Sequence, residues 1–168
     1  MGAALVELAV VTSEPEESCR LLQDAILAHQ TALEAIEPKG EPQVSARIEN
    51  NLGFALCYLG IHSDEESGRK LFEEGLATLR HALQAVTRQN AAQMWASIHL
   101  NLGSALFQLG LRTPGSSQET ILRHAIAAFQ CALEVFSHEQ SYQMWKMAQN
   151  GLADALVRLG VRTISAPI

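Results

Sequence analysis

Apolar residues recur along this chain at helical spacing in two alternating stripes. The first runs Ile48, Leu52, Ala55, Leu56, Leu59 and returns from Ile98 to Leu109 and from Ala148 to Leu159. The second runs Phe72, Leu76, Leu79, Leu83, Val86, with a copy at Leu122, Ile126, Phe129, Leu133, Phe136 and another upstream at Leu22, Ile26, His29, Leu33, Ile36. With the first stripe termed helix A and the second helix B, the pattern predicts a short helix over 3–11, then B at 16–37, A at 43–60, B at 66–88, A at 93–110, B at 116–138 and A at 143–160. The expected fold is all-α, with about seven helices in antiparallel pairs.

The stripes belong to an internal repeat. NLGFALCYLG begins at Asn51, NLGSALFQLG at Asn101 and GLADALVRLG at Gly151, an interval of 50 residues without a gap. TALEAI from Thr31, HALQAV from His81 and CALEVF from Cys131 keep the same register, as do the two QMW triplets at Gln93 and Gln143. The repeats are taken as 16–60, 66–110 and 116–160 within one domain, 1–168. The opening GAALVELAVV echoes DALVRLGV from Asp154, as a remnant of a further A helix would. Gly60, Gly110 and Gly160 each follow the last apolar residue of an A helix and are expected at its left-handed C′ position. Ser13 with Glu16, Ser63 with Glu66 and Ser116 with Glu119 have the spacing of capping boxes ahead of the B helices.

Composition narrows the function classes. Hydrophobic residues make up 48% of the chain and aromatics only 5%, so the core is built from Ala, Leu, Ile and Val. A net charge of -6 without a Lys/Arg cluster argues against nucleic-acid binding. The N-terminal apolar run has no basic region before it, carries Glu7 and is shorter than the ~20 residues of a membrane span, so it reads as a packed helix, with a cleaved signal peptide as the alternative. Cys19, Cys57 and Cys131 are odd in number and lack CxxC spacing, which suggests neither disulfides nor zinc and fits a reducing cytoplasm. The six histidines show no i+3 or i+4 ligand partner, and no nucleotide, metalloprotease or nucleophile-elbow motif occurs, so neither metal, cofactor nor enzymatic activity is expected.

Leu102, Gly103, Leu106 and Gly110, followed by Ala125, Phe129 and Ala132, resemble the sparse consensus of a tetratricopeptide array, and Leu52, Gly53, Leu56, Gly60, Gly75, Leu79 and Ala82 repeat it more loosely. The repeat differs in length from the family's usual ~34 residues. About ten extra residues lie between Gly110 and Ala125 and about six between Ala132 and Leu152. The long form is similar to arrays in large bacterial signalling proteins, some of which carry caspase-like peptidase domains; no such domain accompanies it here. The resemblance implies a right-handed α-solenoid that binds another protein in a concave groove lined by A helices.

Carried over by position, the resemblance assigns partner contacts to Arg47, Asn50, Asn51, Phe54 and Tyr58 in the first A helix, to Leu100, Asn101, Ser104, Phe107 and Gln108 in the second, and to Met147, Asn150, Asp154 and Arg158 in the third. Amides suit a peptide backbone and the aromatics suit apolar anchors. The alternative is that the asparagines tie neighbouring helices together and the aromatics are buried. Asn51 and Asn101 stand where the family's carboxylate clamps place asparagine, but Met147 and Gly151 stand where basic residues would be needed. Trp95 and Trp145 read as seals at the joint with the preceding B helix, with an exposed hot spot as the rival. The acidic run Asp64, Glu65, Glu66, with Glu73 and Glu74, reads as a solvated helix start, or as a surface for a basic partner. The leading expectation is an adaptor holding a peptide or helix of a partner protein, without nucleic acid or membrane. Its rivals are a homo-oligomer assembling through the terminal helices and a ligand-gated regulatory domain.

Overall fold

The structure is a computed structural model, and it describes residues 1–36 and 42–160. Seven α-helices and no strand occur among the described residues: α1 (Gly2–Val11), α2 (Pro15–Ala35), α3 (Pro42–Ile61), α4 (Glu65–Ala85), α5 (Arg88–Arg112), α6 (Ser116–Leu133) and α7 (Tyr142–Arg158). The helices follow the order the stripes give, but two B helices end early, at Ala85 where 88 is expected and at Leu133 where 138 is expected, and α5 begins at Arg88, inside the stretch assigned to the second B helix, because the Thr87–Asn90 box starts a new helix there; residue 37, the last assigned to the first B helix, lies outside the described residues. The chain forms two compact units, Met1–Met94 and Trp95–Ile168.

In the first unit α1 packs on α2, α2 on α3 and α3 on α4. The B stripe of α4 supplies most of its core: Phe72, Leu76, Leu79 and, just past the helix end, Val86 are buried, whereas Leu83 is half-buried and its neighbour Ala82 takes the fully buried place. Helices α3 and α4 approach through paired glycines. A Cβ on Gly75 would strike the Cys57 Sγ and lie 2.8 Å from the Gly53 carbonyl oxygen, and one on Gly68 would lie 2.7 Å from that of Gly60. In the second unit α6 packs between α5 and α7. The buried Phe129 ring stands where a Cβ on Gly103 would lie 2.7 Å away, and a Cβ on Gly151 would strike its other side.

One contact recurs in every A-over-B pair: Gly53 lies over Leu79, Gly103 over Phe129 and Gly2 over His29. The A-helix glycine therefore serves close approach to the next B helix. This corrects the expectation for Gly60 and Gly110, which lie inside α3 and α5 against Phe72 and Leu122. Gly160, at φ 79°, does take the left-handed C′ position after α7.

The capping boxes are corrected too. Asp64, not Ser63, caps α4, accepting from the backbone N–H groups of Glu66 and Ser67 at 3.1 and 3.0 Å, while the Ser63 hydroxyl donates to the Leu59 carbonyl. A carboxylate placed directly before the first turn meets the free N–H groups at shorter reach than a serine one residue earlier. Helix α6 starts after Gly115 at φ 93°, which puts Ser116 inside the helix, and α2 follows Glu14 with Pro15 in its first turn; neither has a side-chain cap. The reciprocal box is at Thr87 and Asn90: the Thr87 N–H donates to Asn90 Oδ1 at 2.7 Å and the Asn90 N–H to Thr87 Oγ1 at 3.3 Å. One residue on, Ala91 breaks helical geometry at φ -157°, ψ 62°, so α5 is one turn followed by a long helix.

Candidate functional site

The residues assigned to partner contact form a separate band on each A helix. On α3, Asn50, Asn51, Phe54 and Tyr58 are half-buried and Arg47 is exposed. Phe54 stacks on Tyr58 at 5.8 Å between ring centroids, and Tyr58 meets the His62 edge at 5.4 Å. Both aromatic rings also pack against the cluster of Val6, Ala9, Leu21, Leu22, Ala25, Ala55 and Leu59, so part of each face is spent joining α3 to α1 and α2. That agrees with the structural alternative for these two side chains as much as with an anchor role.

On α5, Asn101, Ser104, Phe107 and Gln108 are half-buried, whereas Leu100 is buried and presents no open face. The Ser104 hydroxyl donates to the Leu100 carbonyl at 3.0 Å, as serines inside helices commonly do. On α7, Asn150, Asp154 and Arg158 are exposed at i, i+4 and i+8, beside Met147 at 52% exposure. Trp145 meets His138, just beyond α6, at 5.0 Å edge-on and stacks near Tyr142, over whose ring Lys146 stands at 6.0 Å. Trp95 lies half-buried on His99 of its own helix at 4.3 Å.

The titratable groups are arranged for packing. Burial pushes the Cys57 thiol up to about 12, and burial with the Glu134 charge raises Cys131, so neither carries thiolate character at neutral pH. Burial lowers His99, opposed by Glu134, and its Nδ1 is buried without a hydrogen bond. The exposed acidic residues of α4 pair along the helix, Glu66 with Lys70 at 2.9 Å and Glu73 with Arg69 at 2.6 Å, as a solvated face does. Among the described residues no cluster of His, Cys, Asp or Glu could hold a metal, and no helix is long and apolar enough to cross a membrane.

The first unit carries a groove of about 900 Å³ lined by the start of α1, the C-terminal half of α2 and Arg47, Ile48 and Asn51 of α3. It brings together Arg47 and Asn51 from the sequence-assigned band with Leu27 and Asp24, which the pattern gave no reason to single out. His29 is at its base, 6% exposed, with Nε2 buried and unpaired. The signal for His29 was in the alignment: a polar residue occupies a core-stripe position held by Leu79 and Phe129 in the later copies. No known family model matches the chain, and no curated protein or solved structure matches it.

Proposed function

We propose that the chain is a protein-interaction scaffold, a tetratricopeptide-like right-handed solenoid whose A helices hold a peptide or a helix of another protein in a reducing cytoplasm. The observation that carries this reading is the recurrence of one packing unit, a glycine of A over a large side chain of B, with Asn51 and Asn101 at equivalent positions of the first two full A helices and aromatic side chains, Phe54, Tyr58 and Phe107, beside them. Half-burial suits such a band, since Asn51, Asn101 and Phe107 are held in place by their own helices yet keep surface to offer.

The test is affinity capture from source lysate with wild type and an Asn101→Ala, Phe107→Ala variant, both checked for helical content. A partner held by wild type and lost by the variant is expected; identical recovery by both would remove the A-helix band from consideration. A second reading, self-assembly, is favoured by α7, where Met144, Met147 and Val157 are 40%, 52% and 68% exposed. It requires a concentration-dependent increase in mass that Val157→Lys suppresses, and a monomer at all concentrations in light scattering would exclude it.

A further inference from the structure

Helix α1 lies on α2 through a small contact. Of its residues only Gly2, Val6 and Ala9 are buried, so little apolar surface holds it down and its docking stands close to balance. Two polar groups of α2 stand beneath it. Under its second half the buried Ser18 hydroxyl donates to the Ala9 carbonyl at 2.9 Å. Under its first turn the Gly2 backbone presses on the His29 ring, where a Cβ would lie 2.7 Å from Nε2.

These two groups meet the helix differently. Ser18 is satisfied, whereas His29 Nε2 is buried without a hydrogen-bond partner. A neutral imidazole can leave that nitrogen unprotonated. An imidazolium carries a proton on each nitrogen, and the proton on Nε2 then needs an acceptor or water, which the docked helix excludes. The charged groups sharing its concavity supply no remedy: they are the Met1 ammonium ahead of α1, Asp24 of α2 and Arg47 of α3, two cations against one carboxylate. Burial first, and the Met1 ammonium second, hold His29 below its ordinary value of 6.5. Undocking of α1 returns the ring to water and to that ordinary value. The docked form is therefore fully favoured above about pH 6.5 and loses ground as the pH falls towards the depressed value.

Helix α1 also covers something. Its Val6 and Ala9 share a cluster with Leu21, Leu22 and Ala25 of α2 and with Ala55 and Leu59 of α3, and the Phe54 and Tyr58 rings pack against that cluster. We propose that α1 is an acid-released cover: protonation of His29 lifts it from α2 and opens the cluster beneath, with the faces of Phe54 and Tyr58 that rest on it. That these two rings then serve a partner rests on the A-helix reading above; the release of α1 does not.

The test is hydrogen exchange by NMR on the intact chain at about pH 7.5 and about pH 5, with each amide rate divided by its intrinsic rate at that pH. Amides from Leu5 to Val11 are expected to lose about fivefold or more in protection at the lower pH, and those of α4 to change by less than about twofold. His29→Leu does not titrate and is expected to keep α1 protected at both values; Leu79 shows that a leucine fits beneath an A-helix glycine. Ser18→Ala loosens α1 without touching the ring, so it lowers protection at both values and leaves their ratio as in wild type. An N-terminally acetylated chain, which lacks the Met1 charge, is expected to retain the acid loss, because burial is the larger cause. Equal protection of wild-type α1 at the two values, or an undiminished acid loss in His29→Leu, would overturn the proposal. So would a loss shared equally by α4, which would make the transition global. The measurement needs no partner, so its failure and a failure of the A-helix band are separate results.

Discussion

At position 29 the B stripe carries an imidazole where its later copies carry Leu79 and Phe129. Burial, with a smaller push from the N-terminal ammonium, holds His29 below its ordinary pKa of 6.5. The unfolded chain takes up this proton near pH 6.5 and the folded chain only at lower pH, so unfolding binds a proton in between. The stability associated with neutral His29 is therefore complete above about pH 6.5 and falls as the pH drops towards the depressed folded value. His29→Leu removes the unpaired Nε2 and is expected to stabilise the chain by about 1–3 kcal/mol. It should also flatten the dependence of melting temperature on pH below 6.5, read by circular dichroism; an unchanged acid slope would place the titration elsewhere. His99, lowered by burial against the opposing charge of Glu134, leaves a residual slope of the same sign.

Among the elements, helix position followed from apolar period and helix ends did not. Serine followed three residues later by glutamate occurs ahead of α4, yet one intervening aspartate captures both N–H groups. The hydrogen bonds of its carboxylate with Ser67 and then Glu66 hold Asp64 below the usual carboxylate value, and that contribution is lost as the pH falls through the folded pKa. Asp64→Ala is accordingly expected to lower the melting temperature more than Ser63→Ala. Thr87→Ala, which removes one half of the only reciprocal box among the described residues, is expected to cost about 1 kcal/mol in chemical denaturation. Equal effects of the Asp64 and Ser63 substitutions would return the cap to Ser63. Spacing alone cannot resolve such cases, because neighbouring oxygens compete for the same donors and the winner depends on backbone angles within one turn.

For the whole molecule, the two compact units make the consequences of a core lesion local. Phe129 fills the space between Gly103 and Gly151, so Phe129→Ala is expected to cost about 3–5 kcal/mol. Hydrogen exchange should then show lost protection in α6, α7 and residues 95–112 of α5, with α1 and α2 close to wild type. Uniform loss along the chain would instead mean a single cooperative unit. The sequence by itself determined the helical class, the number and order of the helices and the equivalence of their copies, because a 3.6-residue apolar period and a 50-residue register are properties of the chain and need no partner. Tertiary structure alone decided which glycines end helices and which admit a neighbour, that Phe54 and Tyr58 spend surface on the α1–α2 cluster, and that His29 is buried with its Nε2 unpaired. Those outcomes depend on how closely two helices approach and on where a facing helix begins, which are distances between segments that local pattern does not encode.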